Sequence, residues 1–437
     1  MTQPATKPEF SDLLRVFTRI GFLSFGGPAG QIALMHRELV DQRGWVSESQ
    51  FLHALNFCHL LPGPEAQQLA TWIGWKHGGV RGGLAAGMLF VLPGALVMLG
   101  LSILYVYASH LGWFAAIFLG IKAAVIAIVV QALLRIAGRA LDTRLKQGTA
   151  LAAFIALFVF DLPFPLVVLG AGVMGVTVAA VRPDLLAIKA ADHDPSTSPR
   201  PWRQSVTAVC LWGAVWAAPM ALVFVTLGPD HRLWKIGSFF SRLAVVTFGG
   251  AYAVLAYMAQ EAVQGYGWLS AGEMADGLGL AETTPGPLIM VTQYVGFLAA
   301  FRVPEPFSPL LAGVLGAALT TWVTFAPCFL WIFALAPWIE RLEHAPRLRG
   351  GLAAVTAAVV GVIANLSLWF MIHVLFSRVG ENRVGPARLY LPDWVSFDRR
   401  AAVLAALAAI LLFRFKTSVP KVLGVAALGG LLLAQIA

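Results

Sequence analysis

The sequence predicts an all-α polytopic membrane protein: two inverted-topology repeats of about six helical segments, joined by a linker helix and broken at Pro-Gly-Pro motifs. Three observations carry this. Of 437 residues, 58% are hydrophobic and 12% charged, where an ordinary soluble domain has about 25% charged. Residues 83–107, 205–228 and 308–339 contain no Asp, Glu, Lys or Arg, and each exceeds the roughly 20 helical residues that cross a hydrocarbon core. Three short motifs of the first half return in the second at one offset of 223 residues. The apolar runs are continuous, which excludes the alternating ten-residue segments of a membrane β-barrel.

Apolar runs and their polar breaks place segments at residues 13–35, 50–75, 83–107, 113–137, 146–160, 163–181, 205–228, 237–261, 275–300, 308–338, 350–376, 399–414 and 420–436. Loops after the second, fourth and sixth carry Lys76 and Arg81, then Arg135, Arg139, Arg144 and Lys146, then Lys189, Arg200 and Arg203. The loops between them, near 108–112 and around Asp161, carry neither Lys nor Arg. The positive-inside rule therefore puts the N-terminus in the cytoplasm. Residues 1–12 contain Glu9 and Asp12 and read as a cytoplasmic tail, not a signal peptide. The stretch from Ser377 to Arg400, with five arginines, falls on the outer side and runs against the rule.

The net charge of +9 is explained by these loops, and no Arg-rich, aromatic-interleaved patch reads as a nucleic-acid surface. Cys58, Cys210 and Cys328 lie far apart in apolar segments and read as buried hydrophobes, not as metal ligands. Residues 187–203 form a polar, Pro-rich linker. The expected division is an N-terminal repeat, 1–182, a linker plus linker transmembrane helix, 183–230, and a C-terminal repeat, 231–437.

Phe25-Gly26-Gly27 recurs as Phe248-Gly249-Gly250, Gly44-Trp45 as Gly267-Trp268, and Pro62-Gly63-Pro64 as Pro285-Gly286-Pro287. Between 17–64 and 240–287, sixteen of forty-eight ungapped positions are identical, where composition alone gives about four. Arg19 matches Arg242 and Glu38 matches Glu261. Both halves close on two short apolar segments split by a polar or Pro turn, at Asp161–Pro165 and Lys416–Pro420. Six segments plus a linker helix set equivalent elements seven crossings apart. Seven is odd, so the halves are expected to be inverted, the architecture of many secondary transporters; a re-entrant segment would change the count.

Each proline of a Pro-Gly-Pro removes a helical N–H and clashes with the preceding turn. The helix should break there, leaving the amides near Glu65 to Gln67 and Leu288 to Met290 aimed at the break. A half-helix N-terminus suits an anion, whereas a simple proline kink is the competing account. The candidate binding residues are Pro62, Gly63, Pro64, Thr284, Pro285, Gly286 and Pro287. Ser24, Gly26 and Gly27, with Thr247, Gly249 and Gly250, form a second pair of hydroxyl-and-glycine sites; close packing of small residues explains them equally. Gly170, Gly172 and Gly175 make a GxGxxG inside an apolar helix, which is packing and not a nucleotide fingerprint.

Charges within spans are costly and default to function. Arg19 and Arg242 offer planar forks to an oxyanion, with snorkelling to the interface as the alternative for Arg19; Lys122 stands mid-span, with no other charge between residues 113 and 134. Glu38, Glu65, Glu261 and Glu282 are the candidate proton-coupling carboxylates, with interfacial salt bridges as the alternative for Glu38 and Glu261. His59 and His373 read as satisfied histidines.

The blocks SFGGP (24–28), LLPGPEAQQLA (60–70), VTFGGAYAVL (246–255), AETTPGPLIMVTQYVGF (281–297), TWVTFAPCFLWI (321–332) and TAAVVGVIANL (356–366) resemble those of the chromate ion transporter family, in its long two-domain form. The resemblance covers nearly the whole chain. It implies export of chromate across a bacterial inner membrane, with sulfate as a related tetrahedral dianion, the proton gradient as driving force, and halves opposed in topology. It implies no cofactor; chromate, protons and the lipid bilayer are the expected partners, and a homo-oligomer is left open. Residues 65–68 differ from residues 288–291, so the two sites need not be equivalent.

A strongly hydrated dianion must exchange water for many donors and still be released, which backbone amides and one or two arginines allow. The rivals are a transporter of sulfate or another oxyanion, an anion channel, and a membrane-embedded enzyme. Against the last, the sequence holds no HExxH, GxSxG or P-loop.

Overall fold

The computed structural model describes residues 8–25, 27–186, 202–246, 251–339 and 345–436. Helix α1 (Phe10–Leu23) forms because Leu13, Val16, Phe17 and Ile20 recur at helical spacing and are all buried. The chain then leaves helical geometry at Ser24 and Phe25, and α2 (Gly27–His36) runs into a π-helical turn, Arg37–Asp41. The expected span 13–35 is therefore two short helices. Helix α3 (Glu48–His59) opens on a capping box in which Ser47 Oγ accepts the Gln50 amide and Gln50 Oε1 accepts the Ser47 amide, both at 3.3 Å. A break follows, and α4 (Glu65–Ala108) is long, with non-helical backbone at Gly78 and Gly79.

Helices α5 (Gly112–Ala140), α6 (Arg144–Phe158), α7 (Phe164–Val181) and α8 (Trp202–Leu227) continue the chain, followed by α9 (Arg232–Val246) and α10 (Ala251–Gln260). Next come α11 (Ala271–Thr283), α12 (Val291–Phe301), α13 (Pro309–Leu335) and α14 (Pro346–Leu375). A hairpin of β1 (Val379–Val384) against β2 (Ala387–Pro392), then α15 (Arg399–Ala409) and α16 (Val419–Ile436), complete it. Among the described residues six helices are long and apolar enough to cross a membrane, and the protein is an all-α polytopic membrane protein. Among the other expected spans, 50–75 and 275–300 are broken at the Pro-Gly-Pro motifs, whereas 146–160 and 420–436 are single helices of 15 and 18 residues.

The repeat is written into the backbone. The π-turn at Arg37–Asp41 recurs at Glu261–Gly265, and Gly44 and Gly267 both take φ +60. The capping box recurs: Ser270 Oγ accepts the Glu273 amide at 3.2 Å while Glu273 Oε2 accepts the Ser270 amide at 2.8 Å. Asp161 and Lys416, which close the two halves, share a positive φ of 53 and 51.

The chain forms two compact units, each drawing on both halves of the sequence. One comprises residues 1–103, 191–251 and 284–345, the other 104–190, 252–283 and 346–437. In the first, α13 packs against α8, α9 and α12; in the second, α14 packs on α5, α6 and α7, while α11, α15 and α16 pack on α5. Two glycines of the GxGxxG serve that second core: a Cβ on Gly175 would run into the Gly350 carbonyl, and one on Gly172 would meet Val355 at 3.4 Å, while Gly170 faces open space.

The arginine-rich stretch after α14 is the hairpin, for which no element was expected. Arg388 is 4% exposed and reaches Asp161 Oδ1 at 2.9 Å, with Arg383 on Oδ2 at 3.2 Å. Cys58 and Cys328 are buried, but Cys210 is exposed on α8, whose apolar residues Val206, Val209 and Leu211 are exposed too. The expectation of burial fails for Cys210 because α8 presents an apolar surface outward, as a lipid-facing helix does.

Candidate functional site

Both Pro-Gly-Pro motifs are breaks, not bends, and both lie in the first unit. At the first, α3 ends at His59 and α4 begins at Glu65. Pro62 lacks the N–H that would have bonded the Cys58 carbonyl, and the Leu61 amide takes that carbonyl at 3.2 Å instead. Gly63 then turns the chain at φ +113. At the second, α11 ends at Thr283, Gly286 takes φ +96, and a 3₁₀ turn, Leu288–Met290, leads into α12. Such φ values are open to glycine and strained for any residue with a Cβ. Residues 61–64 and 284–290 are buried, so the amide-rich helix starts face protein rather than lipid. The first amides of each restarted helix have no intrahelical acceptor.

Each turn is held by elements of the other repeat. The Gly286 amide donates to the Ser24 carbonyl at 2.8 Å, and Gln31 Nε2 donates to the Gly286 carbonyl at 2.5 Å. The turn at 285–287 thus docks on the α1–α2 break through both faces of one glycine. Mid-helix Pro93-Gly94 of α4 lies against the same turn, with no room for a Cβ on Gly94 beside the Pro285 carbonyl. Reciprocally, Pro327-Cys328 of α13 lies against the first turn: a Cβ on Gly63 would stand 3.0 Å from Cys328 Sγ.

Four glutamines that sequence reading passed over line these turns. Gln67 and Gln68 are fully buried; Gln67 Nε2 donates to the Phe325 carbonyl at 3.3 Å and Gln68 Nε2 to the Pro62 carbonyl at 2.7 Å. Gln293 Nε2 donates to the Ala95 carbonyl at 2.9 Å. The Oε1 atoms of Gln31, Gln67 and Gln68 are buried without a hydrogen-bond partner among the described residues, a costly state outside a binding site. Position after a Pro-Gly-Pro, inside an apolar run, was the available signal for Gln67 and Gln68.

The remaining candidates divide. Ser24 is buried at the site, but its hydroxyl donates to Ile20 O at 2.7 Å, so its contact with the turn is through backbone. Gly27 begins α2 at φ +68. Gly26, Thr247, Gly249 and Gly250 lie outside the described residues. Arg19 and Glu38 meet: Glu38, 1% exposed, has Arg19 at 3.7 Å and Arg43 at 2.8 Å. Arg242 is exposed, with Nε on the Ser238 carbonyl at 3.2 Å. Thr284 and Glu282 are buried, Glu65 and Glu261 half-buried. Lys122 is in the second unit, 3.2 Å from Asp276. His59 is exposed, and His373 Nδ1 lies 2.8 Å from the Trp369 carbonyl.

A cavity of about 330 Å³ in the first unit is walled by α4, α8, α12 and α13, and its lining is apolar except for Gln67, Gln293 and Thr321. Without a cation it is unsuited to an anion. The turns at 62–64 and 285–287, by contrast, are buried and carry backbone amides at the helix restarts.

A family model described as "Chromate transporter" matches residues 11–176 and 234–432. A "Chromate transport protein" of Pseudomonas aeruginosa is 32% identical over 395 residues, 88% of this chain and 86% of that one. Another, of Cupriavidus metallidurans, is 27% identical over 430 residues, 98% of this chain and 94% of the relative. A "Probable chromate transport protein" of Synechococcus elongatus is 28% identical over 81% of this chain and 82% of its own length. No solved structure matches.

Proposed function

On the premise that this chain belongs to the chromate transporter family, we propose that it exports chromate across the bacterial inner membrane, its N-terminus cytoplasmic. Transport is secondary and active, driven by the proton gradient, with no cofactor and no catalytic residue. The two repeats, inverted relative to each other, alternate access to an anion site at the two Pro-Gly-Pro turns.

The observation that carries this reading is the docking of Gly286 on the Ser24 carbonyl and the Gln31 amide. It joins the glycine-rich block of one repeat to the helix break of the other, so a site made there changes when the repeats move. Backbone amides supply donors without a fixed cationic cage, so a dianion is bound and also let go. Arg19 and Arg242 add charge at the approaches. Energetically, a dianion leaving an inside-negative cell gains about 4.6 kcal/mol per 100 mV from its two charges, and exchange for protons adds to that.

Radiolabelled chromate flux into inside-out vesicles, with and without a proton gradient and with sulfate as competitor, tests the reading. Gradient-stimulated chromate uptake is expected. Flux indifferent to the gradient would point to a channel, and sulfate movement without chromate movement to a sulfate transporter.

A further inference from the structure

In the second unit one carboxylate stands apart from the acids that sequence reading singled out. Asp276 of α11 is 6% exposed. Its Oδ1 lies 3.2 Å from Lys122 Nζ of α5, and its Oδ2 accepts the Tyr105 hydroxyl of α4 at 2.7 Å. Lys122 is the eleventh residue of α5, about 15 Å along a helix that rises 1.5 Å per residue, so the pair lies deep in a span rather than at its end. Glu273, one turn earlier on α11, is engaged by the Ser270 amide in its capping box. The other helices packed on α11, α14 and α16, carry their titratable groups toward their ends, at Arg347, Arg349, His373 and Lys421.

Two of the other acids, Glu38 and Glu65, are held differently. Glu38 is bracketed by Arg19 and Arg43, so a proton arriving there has two ion pairs to undo. Glu65 sits half-buried as the first residue of α4. Among the described residues Asp276 meets one cation and one donating phenol, so a single proton undoes the ion pair seen there. It also sits on the half-helix that runs straight into the second Pro-Gly-Pro turn: α11 ends at Thr283 and the turn opens at Thr284.

We infer that Asp276, paired with Lys122 and hydrogen-bonded by Tyr105, is the binding site of the transported proton. This rests on the proton-driven reading above. A proton from water adds to the Asp276 carboxylate, the bridge to Lys122 opens, and the cluster passes from net zero to one positive charge. α11 loses its polar tether to α5, and the chain carries that change into the turn whose glycine the anion needs. Proton uptake at Asp276 is thereby linked to the anion turn. Lys122 is thereby assigned to the proton site rather than to direct anion binding.

The test uses the full chain in proteoliposomes, with a pH dye inside and two readouts: proton movement driven by a chromate gradient, and chromate–chromate counterflow at equal pH. The wild-type protein is expected to show both. Asp276→Asn should lose chromate-driven proton movement by at least about tenfold while keeping counterflow, a split that mere loss of packing does not produce. Lys122→Gln, an independent variant, should move the half-maximal pH of proton movement upward, since the carboxylate then keeps its proton without a competing cation. Proton movement by Asp276→Asn at the wild-type rate, or an unmoved pH profile in Lys122→Gln, would overturn the assignment. Wild-type counterflow with no proton movement would overturn the proton-driven reading itself, and this site with it.

Discussion

Trp216 Nε1 of α8 donates to the Val323 carbonyl of α13 at 3.1 Å, and Trp322 Nε1 of α13 donates to the Val215 carbonyl of α8 at 3.2 Å. Val323 and Val215 are four residues before Pro327 and Pro219, so they are the two carbonyls those prolines deprive of a helical donor. Each helix repairs the other's break with an indole. In hydrocarbon an unpaired backbone group is costly, so the exchange lets both prolines stand inside apolar spans.

Trp322→Phe should therefore destabilise the protein by about 1 kcal/mol, and Pro219→Ala should abolish most of that cost by restoring the helix's own donor. The thermal midpoint of the purified protein in detergent, measured for both single variants and the double variant, checks this; additive effects would mean that the indole contributes packing alone.

Gly286→Ala and Gly94→Ala should each lower chromate transport by more than about tenfold. The first forces a Cβ into φ +96 with Gly94 Cα at 3.1 Å, and the second drives a methyl into the Pro285 carbonyl. Gly100→Ala, whose added methyl meets nothing within 4 Å, is the matched control and should transport normally. Vesicle uptake normalised to membrane protein distinguishes them.

Arg19 and Arg43 share Glu38 unequally. Arg43 is closer, at 2.8 Å, while Arg19 stands at 3.7 Å with its side chain 57% exposed. Arg43→Gln should lower the thermal midpoint more than Arg19→Gln, because it leaves a buried carboxylate with its weaker partner. Arg19→Gln and Arg242→Gln should abolish transport while the protein stays in the membrane. Normal uptake by Arg19→Gln would reduce Arg19 to a partner of Glu38.

His36, at the end of α2 beyond the apolar run, lies between Glu48 and Asp41. Burial pulls its pKa down, but the two carboxylates outweigh that, and the folded value lies above the usual imidazole range. A folded pKa above the unfolded one gives stability that is complete below about pH 6.5 and lost as pH rises through the folded value. The thermal midpoints of the wild-type protein and His36→Gln should differ most near pH 6 and converge above about pH 8; a gap that widens with pH would contradict the pairing.

Much of the fold and part of the site were legible in residues. The Pro-Gly-Pro breaks follow from local chemistry: proline cannot donate, and glycine alone takes the left-handed turn. The 223-residue offset foretold a recurrence that the backbone repeats down to the π-turns. What escaped was whatever depends on partners far along the chain. Gln31 and Gln293 look like ordinary polar residues until their bonds to the Gly286 and Ala95 carbonyls are drawn. Arg19 and Glu38, read as separate candidates, turn out to be one ion pair. Asp276 stands where its repeat counterpart is His53, so comparison of the halves drew attention away from it. The hairpin over 379–392 lay in a charge-rich stretch with no periodic signal, and its sense emerges only when Arg388 is seen buried against Asp161.

The amino-acid order alone determined that this is a helical membrane protein with a duplicated plan and two fractured helices, because hydrocarbon demands long uncharged runs and proline dictates where they stop. Tertiary structure decided which half supplies the partners of each fracture, and that Lys122 faces a carboxylate. Both depend on contacts between residues hundreds of positions apart, where no spacing rule reaches and only packing chooses.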